Sequence, residues 1–173
     1  MRPLQQFQGI PLFWKQPHLM EPVFELKSNE EVVGELHFKN SFGSRAFGST
    51  ADGEWTFKRQ GFVHTYVSIR RKGEEANQAI FRNNTWSGGG TLEFPDGRKF
   101  QANSNYWHAL FEFKNETGEP ILRFTNIGGF KLHAQLDLFP PSEFLVETPM
   151  LALLGWYLAV MISRDGEMVA AVF

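Results

Sequence analysis

The sequence predicts an all-β fold: a closed antiparallel barrel of about twelve short strands around one buried hydrophobic C-terminal α-helix. Three observations carry that prediction. Apolar residues recur at every second position from Val32 to Asp137, between turn clusters about ten residues apart. The run MLALLGWYLAVMI, Met150 to Ile162, has no charge. Aromatic residues make up 15% of the chain, 18 of them phenylalanine, and need a large apolar interior to receive them. At 173 residues the chain is read as a single domain, 1–173.

The N-terminal segment, 1–21, is broken by prolines and glutamines and has no continuous apolar stretch of the kind a secretory signal needs. No strand is assigned to it, and the first strand is expected at Pro22 to Lys27. Leu36 and Phe38 then alternate with Glu35 and His37, Trp55 and Phe57 with Glu54, Thr56 and Lys58, and Val67 and Ile69 with Tyr66, Ser68 and Arg70. Leu92 and Phe94 flank Glu93, and Ala109, Phe111 and Phe113 interleave with His108 and Glu112. The most regular alternation sets Phe130, Leu132, Ala134 and Leu136 against Lys131, His133, Gln135 and Asp137. Breaks fall at Asp52-Gly53, Gly88-Gly89-Gly90, Asp96-Gly97, 115–118 and 126–129, where Gly and Asn supply the positive φ of hairpin turns.

The uncharged run spans about 20 Å as a helix, short of the roughly 30 Å core of a bilayer. Helix punctuation brackets it: Thr148 as N-cap, Pro149 at the first helical position, Arg164 in the last turn and Gly166 just beyond, which gives a central helix over 148–164. It is apolar around its whole circumference, whereas a helix lying on one sheet face keeps a polar stripe. A barrel of ten or more strands has room inside for a helix about 10 Å across. Gly155 then lets a strand or a large aromatic approach the helix backbone closely. A short single-pass anchor is the alternative reading.

Composition removes several functional classes. Seventeen basic against 19 acidic side chains, a net charge of −2, argue against a nucleic-acid binder. The absence of cysteine removes thiol catalysis, disulfides and Cys-ligated zinc, and suits a reducing, cytoplasmic location. The sequons at Asn83 and Asn115 are then chance matches. His18, His37, His64, His108 and His133 form no pair at metal-ligand spacing, and the last four share the parity of outward-facing positions, so no metal is expected. Ser44 and Ser49 lack the Gly-x-Ser-x-Gly elbow, and Gly88-Gly89-Gly90 lacks the Lys-Ser/Thr of a phosphate loop. Glu30-Glu31 and Glu74-Glu75 are loop neighbours whose side chains diverge. No catalytic residue and no cofactor are expected.

The positive feature is electrostatic. Lys58, Arg59, Arg70, Arg71 and Lys72 occupy an acid-free interval and are the candidate residues for contact with an anionic surface. Pairing 53–59 with 63–71 as a hairpin places the two basic groups at opposite ends, roughly 20–25 Å apart, too far to act as one patch. Arg82 and Arg123 are candidates to enlarge it. Two functional classes follow: a peripheral binder of anionic phospholipid, or a protein-interaction module that presents Phe7, Phe13 and Trp14.

The segments GEWTFKRQGF, ALFEFKNETGEPILRFTN and FKLHAQLD, followed by the terminal LALLGWYLAVMI, resemble the Tubby C-terminal-like superfamily, and within it the LURP-one-related branch beside the phospholipid scramblases. That resemblance covers roughly Pro22 to the C-terminus. It implies a twelve-stranded barrel around a central helix, and a binding or scaffold role in which basic side chains on the barrel wall take phosphoinositide headgroups. The scramblases' acidic calcium segment is not matched by LDLFPPSEFLVETP, nor are their acylated cysteines present.

Overall fold

Twelve strands follow one another and each pairs antiparallel with the next: β1 (Leu12–Lys15), β2 (Val23–Ser28), β3 (Glu31–Phe38), β4 (Ala46–Thr50), β5 (Gly53–Gln60), β6 (Tyr66–Arg71), β7 (Ala79–Asn84), β8 (Gly89–Glu93), β9 (Lys99–Asn105), β10 (Leu110–Lys114), β11 (Pro120–Gly128) and β12 (His133–Leu138). A single helix, α1 (Thr148–Val172), follows. The computed structural model describes residues 1–84, 89–105, 110–139 and 145–172, with backbone alone for 84 and 167–172. His108, Ala109 and Gly88 lie outside them. β12 pairs back onto β1, which closes the barrel.

The period-two pattern decides which side chains face inward. Trp55, Phe57, Val67, Ile69, Phe111, Phe113, Ala134 and Leu136 are all buried, as the alternation requires. Phe130 departs from it and is 90% exposed. β11 runs on to Gly128 with a register shift after Thr125, and Gly129 turns at φ +94°, so Phe130 falls in the connection and β12 begins only at His133. Parity marks a side only while the chain stays extended.

The N-terminal segment departs further. Leu12–Lys15 is a strand, with Leu12 opposite Leu136, Trp14 opposite Ala134 on one side and Trp14 opposite Leu26 on the other. Ahead of it Leu4–Phe7 forms a 3₁₀ turn whose Leu4 and Phe7 are buried at the barrel end, tied down by the Leu4 N–H donating to Asp52 (3.2 Å). The first strand is therefore ten residues earlier than Pro22–Lys27, and the segment is the closing stave of the barrel.

α1 fills the interior. Every residue from Met150 to Met161 except Gly155 is a buried apolar side chain, and the contacts come from all round: Trp14 stacks on Trp156 (5.4 Å between centroids), Phe38 and Phe57 both stack on Tyr157 (5.5 Å), and Phe124 lies against Gly155. Among the described residues no helix is long and apolar enough to cross a membrane. The helix also runs past Gly166 to Val172. Gly166 does not adopt positive φ, and one helical glycine costs only about 1 kcal/mol, too little to end the helix there. At the other end the first helical hydrogen bond, from the Leu151 N–H, is accepted by the Glu147 carbonyl (2.9 Å), so the cap falls one residue before Thr148.

Simple up-and-down connectivity gives the barrel two distinct rims. Loops β1–β2, β3–β4, β5–β6 and β11–β12 surround the C-terminal end of α1, where Arg59 pairs with Asp165 (2.6 Å) and Arg164 donates to the Gly43 carbonyl (3.0 Å). We call this the exit rim. The entry rim, where α1 begins, carries loops β2–β3, β4–β5, β6–β7, β8–β9 and β10–β11; there Arg98 reaches the buried Glu147 carboxylate (2.6 Å).

Candidate functional site

The register of β5 and β6 overturns the expected separation of the basic residues. Gln60 pairs with Tyr66, leaving a five-residue loop, Gly61 to Thr65, that turns through Gly61 at φ +87°. Lys58 therefore stands opposite Ser68, and Arg70 opposite Thr56. Lys58 and Arg70 become diagonal neighbours on one face, about 7–8 Å apart at the backbone, instead of lying at opposite ends of the hairpin.

The preceding hairpin adds a third cation. Thr50 pairs with Gly53 across a two-residue turn, and the ladder continues to Ala46 opposite Phe57. One further step places Arg45 beside Lys58. Its signal was present in the sequence as the Asp52-Gly53 turn, since a two-residue loop there fixes every later pair.

These side chains enclose a groove of about 420 Å³ on the outer wall. Its floor is made by the small side chains Thr56 and Ser68, and longer neighbours stand around it: Arg45, Phe47, Lys58, Gln60 and Arg70. Ser68 is buried and donates to the Lys58 carbonyl (3.4 Å), while accepting from the Gln60 amide (2.9 Å). The Arg70 Nε–H donates to the Asn77 side-chain carbonyl (2.9 Å), a neutral partner that aims the guanidinium without cancelling it. Among the described residues neither Arg45, Lys58 nor Arg70 has a carboxylate partner. Glu74 stands at the margin and is the acid that borders the groove.

The other three candidates are differently employed. Arg59 shares the inward parity of its partner Val67, reaches over the exit rim and pairs with Asp165. Arg71 borders the groove, but its guanidinium lies over the Trp55 ring (5.4 Å) and donates to the Asp52 carbonyl (3.1 Å). Lys72 pairs with Glu54 (2.6 Å). Arg82 and Arg123 do not join the groove: Arg82 pairs with Glu93 (3.3 Å), and Arg123 with Glu112 (3.0 Å) on the β10–β11 wall.

The aromatic patch expected at the N-terminus is not there. Phe7 and Trp14 are buried in the core, and Phe13 stands singly at the surface. His18, His37, His64 and His133 are exposed, and among the described residues no three acidic or histidine side chains gather to hold a metal. Ser44 belongs to the core's hydrogen bonding: its carbonyl accepts from the Tyr157 hydroxyl (2.6 Å), which in turn accepts the Arg59 N–H (3.0 Å). Burial pushes the Tyr157 phenol up to about 12, against the opposing pull of those hydrogen bonds and the nearby arginines.

No family model matches the chain, and neither does any curated protein or solved structure.

Proposed function

We propose that the protein is a non-catalytic binding module that docks peripherally, at the cytoplasmic face, on membranes bearing anionic phospholipid, and that the groove of Arg45, Lys58 and Arg70 takes the headgroup. One observation carries the reading: three cations with no carboxylate partner among the described residues converge around a floor of small hydroxyl side chains, on an outer wall. A phosphate there meets one compact ammonium and two guanidinium forks, with Thr56 beneath. The barrel interior is occupied by α1, so binding on the wall suits this fold better than binding inside it. The barrel around a central helix is also the architecture that the Tubby-like resemblance implies. That likeness supports the same reading.

Vesicle co-sedimentation tests it. Each cation near an anionic surface contributes about 1 kcal/mol, so Arg45→Ala, Lys58→Ala and Arg70→Ala together lower partitioning onto phosphoinositide or phosphatidylserine vesicles about a hundredfold. Arg59→Ala with Lys72→Ala, whose cations already have carboxylate partners, lowers it far less. Raising salt to about 0.5 M weakens the parent's binding through screening. Equal binding to neutral and anionic vesicles overturns the electrostatic reading, and no binding to either makes a protein partner the better reading.

A further inference from the structure

The exit rim carries a second feature, independent of the groove. Each of its described hairpin loops ends in large apolar side chains standing in solvent: Met20 on β1–β2, Phe42 on β3–β4, Phe62 and Val63 on β5–β6, and Phe130 on β11–β12, all between 83% and 101% exposed. Exposed apolar residues scattered singly are ordinary, but these share one end of the molecule. In the circular strand order the four hairpins are consecutive, β11–β12, β1–β2, β3–β4, β5–β6, an arc of eight strands or about 34 Å at about 4.8 Å between neighbours.

The hairpin loops of the entry rim are the opposite. They present Glu30, Asp52, Glu74, Asp96, Glu116 and Glu119 against two cations, Lys72 and Arg98, both ion-paired, and no exposed large apolar side chain; the exposed Met1, Ile10 and Val146 at that end lie on connecting segments. Charge is polarised along the same axis. Lys15, Lys39, Arg45, Lys58 and Lys131 are exposed at or near the exit rim, where the acids among the described side chains are Glu21, Asp165 and, opposite Lys15 but paired with Lys27, Glu25.

We propose that the exit rim is a membrane-penetrating face, whose Met20, Phe42, Phe62 and Phe130 enter the boundary between headgroups and acyl chains of an anionic bilayer. The occupant follows from the pairing of features. Apolar tips on separate loops, with lysine and arginine between and behind them, match a surface that is negative outside and apolar a few ångströms deeper. A protein interface would deplete charge at its centre and present one contiguous patch. The acidic entry rim orients the barrel by repulsion from the same surface. Arg45 and Lys58 lie at the exit-rim ends of β4 and β5, so a headgroup in the groove and the loop tips in the bilayer are compatible in one pose. The inference rests on the anionic-membrane reading above and adds depth and orientation to it.

The cysteine-free chain makes the test direct. Single variants Phe42→Cys, Phe62→Cys, Phe130→Cys and, on the entry rim, Ala51→Cys are labelled with an environment-sensitive fluorophore. They are mixed with phosphatidylserine–phosphatidylcholine vesicles, with and without acyl-chain nitroxide quenchers. The expected result is a blue shift and quenching at 42, 62 and 130 and none at 51. Phe42→Asp with Phe62→Asp lowers partitioning about a hundredfold while leaving the melting temperature unchanged, because both side chains are already solvent-exposed. Vesicles that sediment the protein without a shift at any rim position overturn the insertion and leave the groove reading standing. Failure to sediment overturns both. A shift at position 51 equal to the rest overturns the orientation, and a shift that grows with protein concentration without vesicles assigns the rim to a second copy of the chain instead.

Discussion

The ring of Phe124 occupies the space where a side chain on Gly155 would begin. A Cβ built there would sit 2.7 Å from the ring's Cζ and closer still to Cε2, and Phe124 is fully buried with its ring edge-on to Phe111 (6.1 Å between centroids). Gly155 is the point at which the central helix touches the barrel wall backbone to ring, and the relationship sets how deeply β11 can press on α1.

Gly155→Ala is therefore expected to destabilise the protein, although alanine is the better helix former by about 1 kcal/mol. Overpacking a fixed core costs typically 1–3 kcal/mol, and a fully buried ring gives little, so after the helix gain we expect a net loss of about 1–2 kcal/mol in urea unfolding. Phe124→Leu in the same chain removes the obstruction. The double-mutant cycle should show a coupling of at least about 1 kcal/mol, and additive losses would mean that the two residues do not meet.

Tyr157 gives a pH prediction whose sign is fixed. Its folded-state pKa, about 12, lies above the ordinary tyrosine value of about 10, so the folded chain holds the proton that the unfolded chain releases. The contribution is fully present below about pH 10 and is lost as pH rises to about 12, about 2–3 kcal/mol in all. Unfolding of the parent should steepen against pH in that window, and Tyr157→Phe should remove the steepening. It should also lower stability at neutral pH by about 1–2 kcal/mol, since the Arg59 N–H and the Ser44 carbonyl lose their partner. Parallel stability curves for the two proteins between pH 10 and 12 would contradict the burial of this phenol.

Deletion of residues 1–21 should unfold the barrel. It strips β1 from between β12 and β2, leaves two unpaired edges, and removes Leu4, Phe7, Leu12 and Trp14 from the core. Losing these four buried large side chains, at about 2–5 kcal/mol each, together with the ladder of β1, exceeds what the roughly 5–15 kcal/mol stability of a typical domain can absorb. Circular dichroism and size-exclusion chromatography check it: a monomer with parent-like β signal would mean the segment is dispensable.

The sequence by itself determined what rests on local pattern. Alternation at Trp55, Phe57, Val67, Ile69, Phe111 and Phe113 marked the inward face, because successive side chains of a strand must point to opposite sides. The uncharged circumference of Met150–Ile162 marked a helix enclosed by protein, and Gly155 within it marked a close approach, since a missing Cβ is a space something else fills. What the tertiary structure decided is which distant residues meet. Arg45, Lys58 and Arg70 became one groove through two loop lengths, a two-residue turn and a five-residue one, and the four-residue change of register at the second brings Arg70 four positions nearer to Lys58, opposite Thr56. Leu12–Lys15 is too short to announce itself as a strand and became one because β2 and β12 left a gap that it alone could close. The apolar loop tips are each unremarkable in the sequence; the up-and-down pairing of consecutive strands brings every second loop to one end, and closure bends that end into a rim around α1.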